Sequence, residues 1–315
     1  MGAERRTYQD VTHWLDYQRF YPVHLRCGAG NAPAEEWWRW RDTDVHLDRW
    51  AAPDAPAKLI LLHGAGGYGR MLAPYARLLT HASPLEVIAP DLIGYGMTRT
   101  GKRPVAYHEW IDCVADLVAT ERARDVRPVF LLGASMGGML AYSVAARGDV
   151  AGLVVTCLLD PRDLAVRMRM TRIPTMGRIA VPMLHRMRWL DPLRVPMRWV
   201  ANMGAMSNDP ALNMLVRADP SGGGNHVTLH FLRTFLSSAP PVEPEQFTAC
   251  PVLMTHPAAD RWTPHELSMP FYDRIAANKQ LVLLDRAGHL PIEEPGLTQL
   301  GQAVDAFIGR LLPHG

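Results

Sequence analysis

Short apolar segments alternate with longer segments of helical periodicity from residue 58 onward. The apolar segments, which we interpret as strands, are 59–62, 86–90, 129–132, 153–156, 252–255 and 281–284. The helical segments between them are 70–80, 108–124, 136–147, 264–276 and 297–311. Strands that are hydrophobic on both faces are typical of a parallel sheet covered by helices. The alternation therefore predicts an α/β fold, with a mostly parallel, doubly wound sheet.

Two regions interrupt this alternation. Residues 1–57 contain an aromatic cluster around Trp37, and we expect an N-terminal arm with a short helix and one or two antiparallel edge strands. Residues 160–244 are divided by prolines and contain no clear strand, which predicts a helical cap inserted into the core. The predicted domains are thus a first core part (1–159), the cap, and a second core part (245–315).

Composition narrows the possible classes of protein. Of 315 residues, 48% are hydrophobic and 20% are charged, which is enough to bury a core. The net charge of +2 gives no reason to expect nucleic-acid binding. The four cysteines form no CxxC pair, so we interpret them as reduced thiols and expect a cytoplasmic protein. The start of the chain has no apolar signal region, and the uncharged run 128–146 fits a strand, turn and helix better than a transmembrane span.

A candidate nucleophile lies inside that uncharged run. Gly133 to Gly137 match the pattern G-x-S-x-G, with an apolar strand before them and an apolar helix after them. A sharp strand-to-helix turn of this kind exposes its central serine at the N-terminus of the helix. There the helix dipole favours negative charge. We therefore predict that Ser135 is a nucleophile.

A serine hydroxyl needs a base, and the base needs a carboxylate to orient it. His289 follows the last predicted strand, in a loop at the sheet edge where Ser135 is expected. Asp260 follows the preceding strand, and the order Ser, Asp, His along the chain favours it as the acid. Asp160 ends another strand at the same edge and is the alternative acid.

Acyl transfer also needs backbone N–H groups that stabilise an oxyanion. One is expected from Met136, directly after the candidate nucleophile. The other is expected from the glycine-rich loop His63 to Gly67, where Ala65 is the first choice and Gly66 the second.

Together, these motifs resemble the α/β-hydrolase family. The segments HGAG (63–66) and SMGG (135–138) are similar to the monoacylglycerol lipase and esterase branch, and the likeness covers roughly 58–159 and 250–312. The resemblance implies a Ser–Asp–His hydrolase without a cofactor or metal. Serine at position 135 speaks against epoxide hydrolases and dehalogenases, which have aspartate there.

The expected activity is hydrolysis of a carboxylic ester with an apolar acyl or alcohol part, through an acyl-enzyme. The three candidate residues Ser135, Asp260 and His289 do not by themselves determine which leaving group is released, so a lactonase, thioesterase or amidase is an alternative. A ligand receptor or partner-binding scaffold on a hydrolase fold is an alternative of another class, and a lyase is a third.

The predicted cap has an unusual composition. Nine of the sixteen methionines lie between 168 and 214, and ten arginines against four aspartates give 160–217 a charge of +6. Methionine suits an adaptable apolar pocket wall, and the arginines suggest peripheral contact with an anionic lipid surface or substrate. A small helical subdomain with solvated arginines is the alternative. His226 and His230 have the spacing of a helical metal pair, but no third ligand is evident.

Overall fold

Eight strands form one mixed sheet in the computed structural model, which describes residues 6–82, 84–101 and 103–312. These strands are β1 (Ala34–Trp40), β2 (Thr43–Trp50), β3 (Ala57–Leu62), β4 (Leu85–Pro90), β5 (Val129–Gly133), β6 (Gly152–Val155), β9 (Val252–Pro257) and β10 (Lys279–Leu284). The outer ends of the predicted arm and of the second core part, 1–5 and 313–315, lie outside the described residues.

The sheet order is β1-β2-β4-β3-β5-β6-β9-β10. The six strands from β4 to β10 in this order are parallel, whereas β1 and β2 add an antiparallel edge. Parallel strands are connected by crossover helices, which cover both faces of the sheet. In agreement with this, the strands β3, β5 and β6 are buried along their whole length. The predicted fold class is therefore confirmed, and the edge strands lie where the N-terminal pattern predicted them.

Eleven α-helices lie in the described residues. They are α1 (His13–Tyr17), α2 (Ala73–Ala82), α3 (Tyr107–Arg124), α4 (Met136–Ala145), α5 (Leu164–Met170), α6 (Pro174–Arg186), α7 (Met197–Val200), α8 (Pro210–Ala218), α9 (Leu229–Leu236), α10 (Met269–Tyr272) and α11 (Gly296–Leu311). Helices α2 and α11 pack together against the sheet, as do α3 and α4. Helices α5 to α9 belong to the insertion between β6 and β9. We call this insertion the cap segment (160–244).

Two local predictions were wrong. The helix expected over 264–276 is only a 3₁₀ turn (His265–Leu267) followed by the four-residue α10. Pro270 has no N–H to donate and suits the first turn of a helix, so α10 begins at Met269 and does not continue the preceding turn. The cap segment, expected to lack strands, contains a small antiparallel pair, β7 (Arg194–Pro196) and β8 (His226–Thr228).

No helix among the described ranges is long and apolar enough to cross a membrane. The uncharged run 128–146 contributes β5 and α4, as the sequence predicted.

A buried charge cluster joins the N-terminal strands to the core. His46 of β2 bonds Glu35 through Nε2 at 2.9 Å, and its Nδ1 lies 3.2 Å from Asp91 Oδ2, an ionic contact without hydrogen-bond alignment. Arg70 forms two bonds of 2.7 Å with Asp48. Burial alone lowers the pKa of His46, but Asp91, Glu35 and Asp48 outweigh it and raise that pKa to about 10. His46 is therefore a buried cation at neutral pH.

We predict that His46→Gln lowers the free energy of unfolding by about 3 kcal/mol near neutral pH, because it leaves buried carboxylates without their cation. The pKa is higher in the folded chain, so the stabilisation is complete below about pH 6.5. It is lost as the pH rises towards about 10. Urea denaturation measures the free energy of unfolding of wild type and variant across this range, and the difference between the two should become smaller as the pH rises. His13→Gln, at an exposed position of α1, is the control. A gap independent of pH would contradict the prediction.

Candidate active site

Ser135 lies at the turn between β5 and α4. Its backbone has φ 55° and ψ −124°, a conformation that side chains rarely adopt. Its N–H donates to Thr156 Oγ1 at 2.9 Å, which ties the turn to the end of β6. The serine therefore occupies a strained position at the N-terminus of α4, as the motif predicted.

Glycines around this turn allow backbones to touch. A Cβ at Gly133 would lie 2.1 Å from the carbonyl oxygen of Gly137, and one at Gly138 would lie 2.1 Å from that of Cys157. A Cβ at Gly64 would lie 2.8 Å from the Cβ of Ser135. No side chain fits at these three positions without a backbone shift, so the glycines of the motif are a packing requirement.

The structure brings Ser135, His289 and Asp260 together. His289 Nε2 lies 2.8 Å from Ser135 Oγ, and His289 Nδ1 lies 2.7 Å from Asp260 Oδ2. The ring of Trp262 packs on the imidazole with a centroid separation of 4.7 Å. These three residues are 154 and 29 positions apart along the chain, and the carboxyl ends of β5, β9 and β10 place them at one sheet edge.

Asp260 also organises its own loop. Its Oδ1 accepts the backbone N–H groups of Trp262 and Thr263 at 2.8 and 2.9 Å, and its Oδ2 accepts the Thr263 hydroxyl at 2.9 Å. Burial alone raises the pKa of Asp260, but the charge of His289 and these hydrogen bonds outweigh it and hold the pKa below its usual value. Asp260 is therefore ionised at neutral pH and bonded to His289 Nδ1.

Asp160, the alternative acid, lies elsewhere. Its two carboxylate oxygens pair with the guanidinium of Arg162 at 2.8 to 3.1 Å, and Arg162 also bonds Glu243 at 2.6 Å. Asp160 and Glu243 lie at the two ends of the cap segment, so this ion pair joins its entry to its exit. The geometry favours Asp260 as the partner of His289.

The glycine-rich loop runs beside Ser135. His63, which the sequence analysis did not single out, orients this loop: its Nδ1 bonds the Gly64 carbonyl at 2.9 Å and its Nε2 accepts the Leu92 N–H at 3.0 Å. Burial lowers the pKa of His63 to about 4, so the ring is neutral and can make both bonds. The position of His63 directly before the glycines was the sequence feature from which this role could have been predicted.

The two candidates for the second oxyanion donor differ in their surroundings. Ala65 and Met136 both line a cavity that Ser135 also lines. Gly66 has φ 75° and approaches the Sδ of Met203 and the Cα of Gly223 instead. Gly223 belongs to a glycine-rich turn of the cap segment, and this turn packs on the loop.

A large apolar cavity of about 190 Å³ opens between the core and the cap segment. Apolar side chains of the cap segment dominate its wall, among them Met170, Met183, Met197, Phe231 and Phe235. A second cavity of about 50 Å³ lies on the other side of Ser135, within the core. The serine hydroxyl is thus flanked by two apolar spaces of different size.

The histidine pair considered for metal binding does not share a helix. His226 lies in β8, whereas His230 lies in α9 and bonds Asp191 at 2.8 Å. In the part of the chain that the structure describes, no group of three metal-ligating side chains is found.

The comparison with protein-family models decides the family. The model described as "Alpha/beta hydrolase family" matches residues 59–298, well over half of the chain. The chain belongs to the alpha/beta hydrolase family.

Two curated relatives of this alpha/beta hydrolase are named lipases. A 121-residue part is 37% identical to "Lipase LipV" of Mycobacterium tuberculosis and covers 38% of this chain and 42% of that protein. A 122-residue part is 35% identical to human "Monoglyceride lipase" and covers 37% and 39% of the two chains. The aligned parts thus span less than half of these relatives.

Solved structures share the fold over nearly the whole chain. A soluble variant of monoglyceride lipase from Saccharomyces cerevisiae superposes with a TM-score of 0.76 at 15% identity, covering 93% of this chain and 99% of that chain. A monoacylglycerol lipase of Paleococcus ferrophilus gives 0.67 at 19% identity, covering 85% and 99%. At these identities the likeness establishes the fold of this alpha/beta hydrolase.

We predict that Gly138→Ala destabilises this alpha/beta hydrolase by about 1–3 kcal/mol, because the new methyl group meets the backbone of Cys157. Gly309→Ala in α11 is the matched control, because nothing lies within 4 Å of its Cβ position. The control should stabilise by up to about 1 kcal/mol. Thermal unfolding of both variants measures the difference in their stability. Equal melting temperatures would show that the contact with the Cys157 backbone does not destabilise Gly138→Ala.

Proposed function

We propose that the protein is a serine hydrolase that cleaves carboxylic esters through an acyl-enzyme. The observation that carries this proposal is the continuous hydrogen-bonded chain from Ser135 through His289 to Asp260, with contacts of 2.8 and 2.7 Å, at the wall of an apolar cavity. Family membership and the lipase relatives support ester substrates.

In the proposed mechanism, His289 Nε2 removes the proton of Ser135 as its Oγ attacks the ester carbonyl carbon. The imidazolium formed is stabilised by the ionised Asp260, and it then protonates the leaving alcohol oxygen. Water, deprotonated by His289, attacks the acyl-enzyme and releases the acid. Thr263 and Trp262 hold Asp260 and His289 in position through the contacts described above.

The negative charge on the carbonyl oxygen is stabilised by the backbone N–H groups of Ala65 and Met136. Both residues line the cavity beside Ser135, and the neutral His63 holds the loop that carries Ala65. A donor of this kind commonly contributes about 3–4 kcal/mol to the stability of the transition state.

The large cavity holds the apolar part of the substrate. Its volume of about 190 Å³ exceeds the roughly 150 Å³ of a cavity that holds benzene, so it accommodates about eight carbons of a hydrocarbon chain. Flexible methionines line it, which suits chains of varied shape.

We predict that Ser135→Ala lowers the turnover of a short-chain p-nitrophenyl ester by about 10⁴-fold or more, because no nucleophile remains. It should also abolish labelling by a fluorophosphonate. Ser238→Ala, whose hydroxyl bonds the Phe235 carbonyl within the cap segment, is the control and should change neither.

Unchanged turnover in Ser135→Ala, or a label mapped to another residue, would overturn the proposal. Labelling of Ser135 without turnover of esters, lactones, thioesters or amides would favour a ligand receptor on a hydrolase fold.

We also propose that the cap segment rests on an anionic lipid surface. Exposed apolar side chains of the cap segment include Ile173 and Trp199, which line the large cavity and are 54% and 59% exposed, and Trp189, which is 76% exposed. Arg172 and Arg198 are exposed beside them in the chain. An apolar patch bordered by cations is typical of surfaces that insert at a lipid interface.

Vesicle co-sedimentation tests this contact. We predict that vesicles containing phosphatidylglycerol bind the protein more strongly than pure phosphatidylcholine vesicles, and that Trp189→Ala with Trp199→Ala weakens binding at least threefold, because buried aromatic area is lost. Val126→Ala is the control, because Val126 is fully exposed outside the cap segment. Equal binding by all three proteins would refute the proposal.

We propose that the protein is located in the cytoplasm. All four cysteines are free and buried. Burial raises the pKa of Cys27 to about 11 and that of Cys250 to about 12, so both stay protonated thiols. Unpaired thiols fit a reducing compartment.

A further inference from the structure

The small cavity within the core is not explained by the proposed function. Residues of the glycine-rich loop line it, and so do Leu61, Met71, Leu79 and Leu300. Ser135 and Ala65 line both this cavity and the large one. The two spaces therefore meet at the hydroxyl that attacks the substrate, and each can receive one side of an ester.

His289 indicates which side of the ester each cavity receives. The small cavity is lined by His289 together with Leu290 and Pro291, whereas the wall of the large cavity includes Trp262 and Thr263 but not His289. The leaving oxygen must come within hydrogen-bond reach of His289 Nε2, because that nitrogen delivers its proton. The carbon chain of the leaving alcohol therefore extends into the small cavity, and the acyl chain extends into the large one.

The small cavity offers few partners for alcohol hydroxyls. Besides Ser135 and His289, its polar side chains among the described residues are His63, Tyr75 and Thr156. Tyr75 donates to the Pro291 carbonyl at 2.8 Å, and Thr156 Oγ1 accepts the Ser135 N–H at 2.9 Å. Both nitrogens of His63 are engaged by Gly64 and Leu92. A glycerol group would bring two hydroxyls whose remaining side-chain partners are the Tyr75 oxygen and the Thr156 hydroxyl hydrogen, whereas an alkyl group needs no partner, and this favours the alkyl group.

Size limits the alcohol further. A volume of about 50 Å³ is about a third of the roughly 150 Å³ of a cavity that holds benzene, so it takes about two carbons. A short alkyl group fits this space, and a chain of six or more carbons does not.

We propose that the small cavity is an alcohol subsite that accepts a short alkyl group of about one to three carbons. This inference rests on the proposed function and specifies its substrates as short-chain alkyl esters of apolar acids of medium chain length. Glycerol esters are poor substrates, although relatives of this chain are named monoglyceride lipases.

Four isomeric esters of formula C10H20O2 test the assignment at nearly constant hydrophobicity. They are ethyl octanoate, butyl hexanoate, hexyl butanoate and octyl acetate. We expect kcat/KM to fall at least tenfold from ethyl octanoate to octyl acetate, with the main decrease between the ethyl and butyl alcohols. A reversed order would place the acyl chain in the small cavity and overturn the assignment, as would a flat series.

Propyl octanoate and 1-monooctanoylglycerol form a second matched pair, since they differ only in two hydroxyl groups. We expect at least a tenfold higher kcat/KM for propyl octanoate. Equal values, or a preference for the glycerol ester, would overturn the apolar character assigned to the subsite.

Two neighbouring leucines of α2 provide matched variants. Leu79 lines the small cavity, whereas Leu78 contacts the Gly301 position on α11. Leu79→Ala lengthens the subsite and should raise the ratio of kcat/KM for hexyl butanoate over ethyl octanoate at least threefold. Leu78→Ala should leave that ratio unchanged. An equal change in both variants would contradict the assignment, and the isomer series decides it with native protein if Leu79→Ala does not fold.

Fluorophosphonate labelling distinguishes a failure of the alcohol subsite from a failure of the proposed serine hydrolase activity. Labelling of Ser135 and ester turnover without dependence on the alcohol would overturn the subsite alone. Absence of both would overturn the proposed function and the subsite with it.

Discussion

Close backbone contact at the turn between β5 and α4 is the constraint on which the candidate site depends. Gly133, Gly64 and Gly138 let this turn touch its own helix, the glycine-rich loop and the end of β6, with no room for a Cβ at any of them. The contacts hold Ser135 in a conformation that an isolated peptide would avoid. They also place the Met136 N–H beside the loop that carries Ala65. Strain at one residue is thus balanced by packing around it.

Asp260 illustrates how one carboxylate performs two tasks. One oxygen accepts two backbone N–H groups of the loop after β9, and the other holds His289. The structure shows that both contacts coexist, because a carboxylate has several lone pairs. His63 likewise makes two contacts, because each of its ring nitrogens bonds the backbone and together they fix the loop beside Ser135.

Much of the fold could be predicted because its signals are local. Apolar runs located all six strands from β3 to β10 in the main sheet, and proline and glycine marked the ends of elements. The segment 264–276 was misjudged because helical periodicity persisted through Pro270, whose missing N–H favours the start of a new helix over the continuation of a preceding one. The β7–β8 pair was missed because three-residue strands carry too few positions for alternation to be visible. The roles of His63 and Thr263 depend on atoms far apart in the chain.

The sequence by itself determined the fold class, the alternation of elements and a short set of candidate residues, because these follow from hydrophobic periodicity and from motifs within a few residues. Tertiary structure alone decided that Asp260 rather than Asp160 lies beside His289, and that Gly66 faces the cap segment. It also decided that Ser135 stands between a large cavity and a small one. Distances and cavities of this kind arise where strand ends and helices from distant parts of the chain meet. No local pattern encodes them.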